Sequence, residues 1–310
     1  MTNFYGQYVG FGAGSSAVAS SHAAGNINSY QSGGYSGLNY ITMFTFASLG
    51  NITDVADLAT GIHNHAGHSS PTDGFTSGGG GGVDTINKFS FPSASTSAAH
   101  GNINSSTYMT GGSSSVTHGY TVGGVSNDTI QKFAFSSNTT GDDVGNLTGT
   151  RRLGPNHAAS STHSYAMGGC EPSRTSIEKI SHSSDENSTD VGDVNVSSGV
   201  CGAHGNDLTH CYVAGGSESP RSRNIDQMSF ASEGTATDVG DLSRCDQWGA
   251  GTSSKAGYAY VSGGVDCDAG ITWDIDQYQM AASTSGSDVG NLVSPRGSSY
   301  DATNMSGSQY

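Results

Sequence analysis

A short apolar strand ending in a pair of glycines returns along this chain at a nearly fixed interval, and few folds can absorb such a pattern. The copies are Tyr30-Gln-Ser-Gly-Gly, Phe75-Thr-Ser-Gly-Gly, Tyr120-Thr-Val-Gly-Gly, Tyr165-Ala-Met-Gly-Gly, Tyr212-Val-Ala-Gly-Gly and Tyr260-Val-Ser-Gly-Gly, with a degraded Asn304-Met-Ser-Gly-Ser. Their first glycines are Gly33, Gly78, Gly123, Gly168, Gly215, Gly263 and Gly307, at intervals of 45, 45, 45, 47, 48 and 44 residues. Composition alone, with 47 Gly among 310 residues and only 12 % charged, allows either a disordered chain or an all-β fold of short strands and tight turns. The fixed period excludes the first.

Two more elements keep the same time. A second strand follows each intact pair: Phe44-Thr-Phe46, Ile86-Asn-Lys-Phe89-Ser-Phe91, Ile130-Gln-Lys-Phe133-Ala-Phe135, Ile177-Glu-Lys-Ile180, Ile225-Asp-Gln-Met228-Ser-Phe230 and Ile275-Asp-Gln-Tyr278-Gln-Met280. Period-two alternation puts the last two apolar residues on one buried face and the leading Ile on the other. Next come Asp54-Val-Ala-Asp-Leu58, Asp143-Val-Gly-Asn-Leu147, Asp190-Val-Gly-Asp-Val194, Asp238-Val-Gly-Asp-Leu242 and Asp288-Val-Gly-Asn-Leu292, weakened in the second copy to Gly101-Asn-Ile103. Some copies then carry Arg152, Arg244 or Arg296. About four strands in 45 residues is one blade of a β-propeller.

These residues resemble the kelch-type propeller repeat, in which an apolar strand ends in Gly-Gly, an aromatic strand follows and an apolar-x-x-Arg segment leads onward. Kelch repeats usually hold a late Trp, whereas Trp248 and Trp273 stand at no repeated position. The Gly/Ser/Thr/Asn-rich variant looks like repeat proteins of tailed, particularly marine, phages.

The expected fold is all-β: a kelch-like β-propeller of seven four-stranded blades, with six as the alternative, forming a single domain over 1–310. Repeats fall near 33–77, 78–122, 123–167, 168–214, 215–262 and 263–306, and the last blade is completed by residues 1–20, so that N- and C-terminal strands share a blade. Such closure removes an exposed edge. The repeated Tyr120, Tyr165, Tyr212 and Tyr260 are expected in the seams between blades, where a buried aromatic contributes about 4–6 kcal/mol gross. The glycine pairs are expected to supply positive φ or close backbone approach.

Chemistry-bearing residues are sparse. His63, His65 and His68 form the densest cluster of metal-ligand type and are a weak metal candidate, against a reading as exposed polar residues of one blade. His118, His163 and His210, and likewise His22, His157 and His204, recur at fixed repeat positions, which favours a structural hydrogen bond over catalysis; a ring of imidazoles holding an anion is the alternative. The Asp-Val-Gly elements lack the ligand spacing of a calcium loop and read as turns whose Asp accepts a backbone N–H. Cys201 and Cys211 flank the turn at Gly205-Asn206-Asp207 and are a candidate disulfide, against two free thiols, in a chain with five cysteines. The scattered arginines provide no sialidase-like cluster, and no copper-binding Tyr, His and Cys-Tyr set stands out.

The expected function is non-enzymatic, with no catalytic residue, metal or cofactor. A formal charge of -15 argues against nucleic acid, and no apolar run is long enough to insert in a membrane. The phage resemblance implies a virion component, a tail fibre, appendage or capsid-surface protein, assembled with other virion proteins or as a homo-oligomer and touching host surface glycans. Localisation is then virion or extracellular after cytoplasmic synthesis, since no signal peptide is legible. A propeller glycan-cleaving enzyme, which would show convergent carboxylates breaking the repeat, and an intracellular kelch-like adaptor are the alternatives.

Overall fold

The computed structural model describes residues 27–34, 37–91, 95–154, 157–170, 172–195, 202–216, 222–246, 248–254, 256–266, 270–280, 285–293 and 306–309. They form six four-stranded antiparallel sheets and one small hairpin, with no helix among the described residues. From inner to outer strand, the first blade is Ser306–Gln309, Asn28–Ser32, Tyr40–Thr45 and Ser48–Asp57. The second is Ala66–Ser69, Asp73–Ser77, Thr85–Ser90 and Ala98–Asn102. The third is Gly111–Ser114, His118–Gly124, Asn127–Ala134 and Asp142–Asn146. The fourth is Ala158–Ala159, His163–Gly169, Arg174–Ser181 and Thr189–Asp193. The fifth is Ala203–Asn206, His210–Ala214, Asn224–Ser229 and Thr237–Asp241. The sixth is Ala250–Ser253, Tyr258–Ser262, Asp274–Gln279 and Ser287–Asn291, with the hairpin Val265–Asp266 and Gly270–Ile271 inserted after its second strand.

The inner strands neighbour one another in a closed circuit, so the sheets form a six-bladed propeller. This corrects the expectation of seven blades. The seventh glycine, Gly307, pairs opposite Gln31 inside the inner strand of the first blade rather than ending a second strand. It belongs with Gly67, Gly112, Gly205 and Gly251 of the other inner strands. Closure is made by the C-terminal strand, whose Ser306 to Gln309 pair with Ser32 to Ser29; residues 1–20, given that task by the sequence reading, lie outside the described residues.

Inner strands are built of Gly, Ala and Ser because the backbones approach closely around the axis. A Cβ on Gly112 would run into the Gly67 carbonyl, and one on Gly251 would run into the His204 backbone. The first glycine of every intact pair has φ between 64° and 77°, where side chains are disfavoured and glycine is not.

Six apolar seams join the blades. In each, the second-strand aromatic, the leading Ile and the closing Leu, Ile or Val of one blade meet the later apolar residues of the next blade's third strand. Phe75, Ile86 and Ile103 of the second blade pack on Phe133 and Phe135 of the third. Tyr30, Ile41 and Leu58 pack on Phe89 and Phe91, and Tyr260, Ile275 and Leu292 close the circuit on Phe44 and Phe46. Ring pairs run through these seams: Phe75 on Phe135 (4.6 Å between centroids), Tyr165 on Phe230 (4.9 Å) and Phe46 on Tyr260 (5.3 Å). The seam role expected of the repeated aromatics is therefore observed.

Candidate functional site

Because strands alternate in direction, the glycine pairs and the crossings from one blade's outer strand to the next inner strand lie on one face. Hydrogen bonds stitch the two together: Gly34 N–H to Ile62 O (2.9 Å), Gly79 to Thr107 (2.8 Å), Gly124 to Arg151 (3.0 Å) and Gly216 to Asp246 (2.7 Å). A second repeated device sits beneath them. Gln131, Glu178, Asp226 and Asp276, each the residue after the leading Ile, are buried and accept the backbone N–H of Ser105, Thr148, Asn195 and Ser243 at the exit of the preceding blade. Sequence reading missed these latches, although a polar residue after each Ile in an otherwise apolar strand was their signal. Arg151 is fully buried against Glu178 and donates to Gly168 O (2.9 Å). It holds the place given in the sequence reading to Arg152, and Arg244 likewise reaches Gly263 O (3.2 Å).

Over the sixth blade the repetition breaks. Its third strand begins with Asp274 opposite Asn291, and the matching positions in the other blades are Tyr40, Thr85, Thr129, Ser176 and Asn224. A carboxylate occurs there once. Arg244 gathers the surrounding groups: its guanidinium contacts Asp246 Oδ2 (3.2 Å) and Asp274 Oδ2 (3.5 Å), and donates to Thr272 Oγ1 (3.1 Å) and Asp274 O (3.3 Å). Burial raises the pKa of the Asp274 carboxyl; Arg244 opposes the rise, and the negative charges of Asp288, Asp276 and Asp266 add to it. Asp266 comes from the inserted hairpin. Trp273 stands next to Asp274 with about half its surface in solvent (49 %). Behind Arg244, Cys245 and Cys170 are both disulfide-bonded, and Cys170 forms a buried cluster with Trp248 and Val265.

The sequence candidates fall elsewhere. His63 is half-buried, while His65 and His68, at and within the inner strand Ala66–Ser69, are buried rather than exposed. Both ring nitrogens of His68 are engaged, Nδ1–H donating to Ser113 O (2.9 Å) and Nε2 accepting from Ser77 Oγ (2.8 Å), so the three imidazoles do not turn toward one ion. Burial lowers the pKa of His65 to about 3 and that of His68 to about 4. His118, His163 and His210 each share a hydrogen bond between Nδ1 and the hydroxyl of the preceding Thr (2.8 Å), which is the structural hydrogen bond their recurrence suggested. His157 and His204 meet edge to face, 5.6 Å between centroids, and His22 lies outside the described residues. The Asp-Val-Gly aspartates behave as turn formers: Asp143, Asp190, Asp238 and Asp288 accept the N–H two residues on at 3.0–3.3 Å. Cys211 is a free, buried thiol whose pKa burial pushes up, as in the free-thiol reading, so the candidate bridge to Cys201 is not formed; its side chain packs into the seam beside Tyr165 and Met228, and Cys201 lies outside the described residues.

No protein-family model matches the chain, and no curated protein matches it in sequence. Among solved structures it is similar to a novel fungal alcohol oxidase with catalytic diversity among the AA5 family, in complex with copper. The likeness has a TM-score of 0.59 at 11 % identity and covers 89 % of this chain and 67 % of that one. The fold is thus one on which an enzyme is built. That finding corrects the expectation of a non-enzymatic virion component. Copper itself finds no counterpart, since the described residues contain no group of three or more His, Cys, Asp or Glu side chains able to hold a metal ion.

Proposed function

We propose that this chain is a carbohydrate-active enzyme on a kelch-type propeller, with its acid–base residues over the sixth blade. The observation that supports this is Asp274, a carboxyl with a raised pKa, accessible at its outer edge, which breaks the repeat at its position and feels the charge of Asp266 in the inserted hairpin. Cleaving a glycosidic bond needs one protonated carboxylic acid to donate to the leaving oxygen and one carboxylate to activate water or attack the sugar. Asp274 is the proton donor in this reading, and Asp266, whose charge it feels, is the second carboxylate. Arg244 fixes the orientation of Asp274 through its side chain and its carbonyl. The exposed indole of Trp273 is the platform on which a sugar ring stacks. Disulfide-bonded cysteines support work in an oxidising, extracellular setting.

Release of reducing ends from a panel of oligosaccharides tests the proposal. Asp274→Asn should lower kcat by about 100-fold or more, the usual worth of a general acid. Trp273→Ala should chiefly raise KM. An Asp274→Asn variant as active as the parent, or a parent that cleaves none of the panel, would overturn it.

A further inference from the structure

Arg244, Cys245, Asp246 and Trp248 are held by an unusual number of independent fastenings. Cys245 is disulfide-bonded, and Arg244 and Asp246 form a buried pair two residues apart. The Asp246 carbonyl accepts from Gly216 N–H (2.7 Å), and its N–H donates to Ser222 O (3.3 Å). Trp248 is 5 % exposed, has φ of 69°, and is seated on Cys170 and Val265. A bulky residue in the left-handed region persists only where its surroundings over-determine it. Asn64 (φ 55°) and Met109 (φ 53°) take the same conformation two residues before the inner strands of their own blades, without a disulfide-bonded residue beside them. What distinguishes the sixth blade is that the strap also carries the arginine that orients Asp274.

We infer that Arg244, Cys245, Asp246 and Trp248 act as a positioning strap for the Asp274 site, and that the disulfide bonding of Cys245 and Cys170 makes assembly of that site redox-dependent. The inference rests on the function proposed above for Asp274, but the state of the strap can be read without it. Each disulfide reduced by a small dithiol takes two electrons from the reductant, which leaves as a cyclic disulfide, and yields two cysteine thiols. With Cys245 and Cys170 released, Trp248 loses its seat and Arg244 its fixed approach to Asp274. Among the described residues the six seams contain no disulfide-bonded cysteine, so the propeller itself is expected to persist.

The chain has only two tryptophans, so a Trp273→Phe variant reports Trp248 alone. Native thiol titration, tryptophan emission and acrylamide quenching are followed before and after dithiothreitol, with far-UV circular dichroism as the check on the fold. The expected result is a rise in titratable thiols, a red shift of emission and stronger quenching, with the β signal retained. Cys245→Ser should show a red-shifted emission from the start, with dithiothreitol adding only what release of Cys170 contributes. In the chain with both tryptophans intact, reduction should lower glycan cleavage at least 10-fold, and in Cys245→Ser the loss should be constitutive. Unchanged emission on full reduction would overturn the strap, whatever the enzyme does. A red shift with undiminished cleavage would overturn its positioning role. Absence of cleavage in the oxidised parent would instead count against the function proposed for Asp274, leaving the emission result to decide the strap.

Discussion

The ring of Phe75 in the second blade lies stacked on that of Phe135 at the end of the third blade's third strand, 4.6 Å between centroids and 19° between planes. The two residues are contributed by repeats that share no hydrogen-bonded strand, so their contact is part of what joins one blade to the next. Phe75→Ala should destabilise the chain by about 3–5 kcal/mol, the range for removing a fully buried aromatic. Urea denaturation followed by circular dichroism measures it; Phe135→Leu, which keeps most of the volume, should cost less than half as much.

Glycine matters by position rather than by number. Gly112 faces the backbone of Gly67 across the inner circuit, whereas a Cβ on Gly81 would meet nothing within 4 Å. Gly112→Ala should therefore lower the melting temperature several times more than Gly81→Ala, whose cost of about 1 kcal/mol comes only from its positive φ. Equal losses in a thermal melt would refute close packing at the axis.

Closure depends on four residues at the far end of the chain. Deleting residues 306–310 removes the inner strand that pairs with Asn28–Ser32 and opens the ring at the first blade. A broad melt, of low cooperativity and at lower temperature, is the expected outcome by calorimetry.

Acid should weaken the fold before its carboxylates protonate. His65 and His68 are neutral when folded, with pKa values of about 3 and 4 against 6.5 when unfolded. Below pH 6.5 the unfolded chain takes up protons that the folded chain refuses. The stability these groups lend is thus present above 6.5 and is lost as the pH falls toward 4. His68→Gln should flatten the slope of melting temperature between pH 6.5 and 4 while lowering its plateau at neutral pH.

Glycan cleavage should fall as the pH rises, because the donor form of Asp274 is the protonated one. Its raised pKa places that alkaline limb above the ordinary aspartate value of 3.8. Arg244→Lys loses the forked contact that orients Asp274 and should lower kcat; a variant with unchanged kcat and unchanged limb would show that Arg244 plays no part.

Local pattern determined much of this protein. The Gly-pair strands, the face on which each leading Ile is buried, the aromatic seams and the Asp-Val-Gly turns all follow from periods of two and of about 45, and neighbours in sequence are enough to specify them. The number of blades did not follow, because Gly307 mimics a pair-ending glycine and only its pairing with Gln31 assigns it to an inner strand. Nor did the site over the sixth blade. Arg244, Asp266 and Asp274 belong to a crossing, an inserted hairpin and a third strand, each unremarkable in its own stretch. Their proximity arises only in the folded ring, where burial raises the pKa of Asp274 and the neighbouring carboxylates add to the rise against the opposing Arg244 guanidinium. The free thiol of Cys211 was decided in the same way, by a seam that covers it.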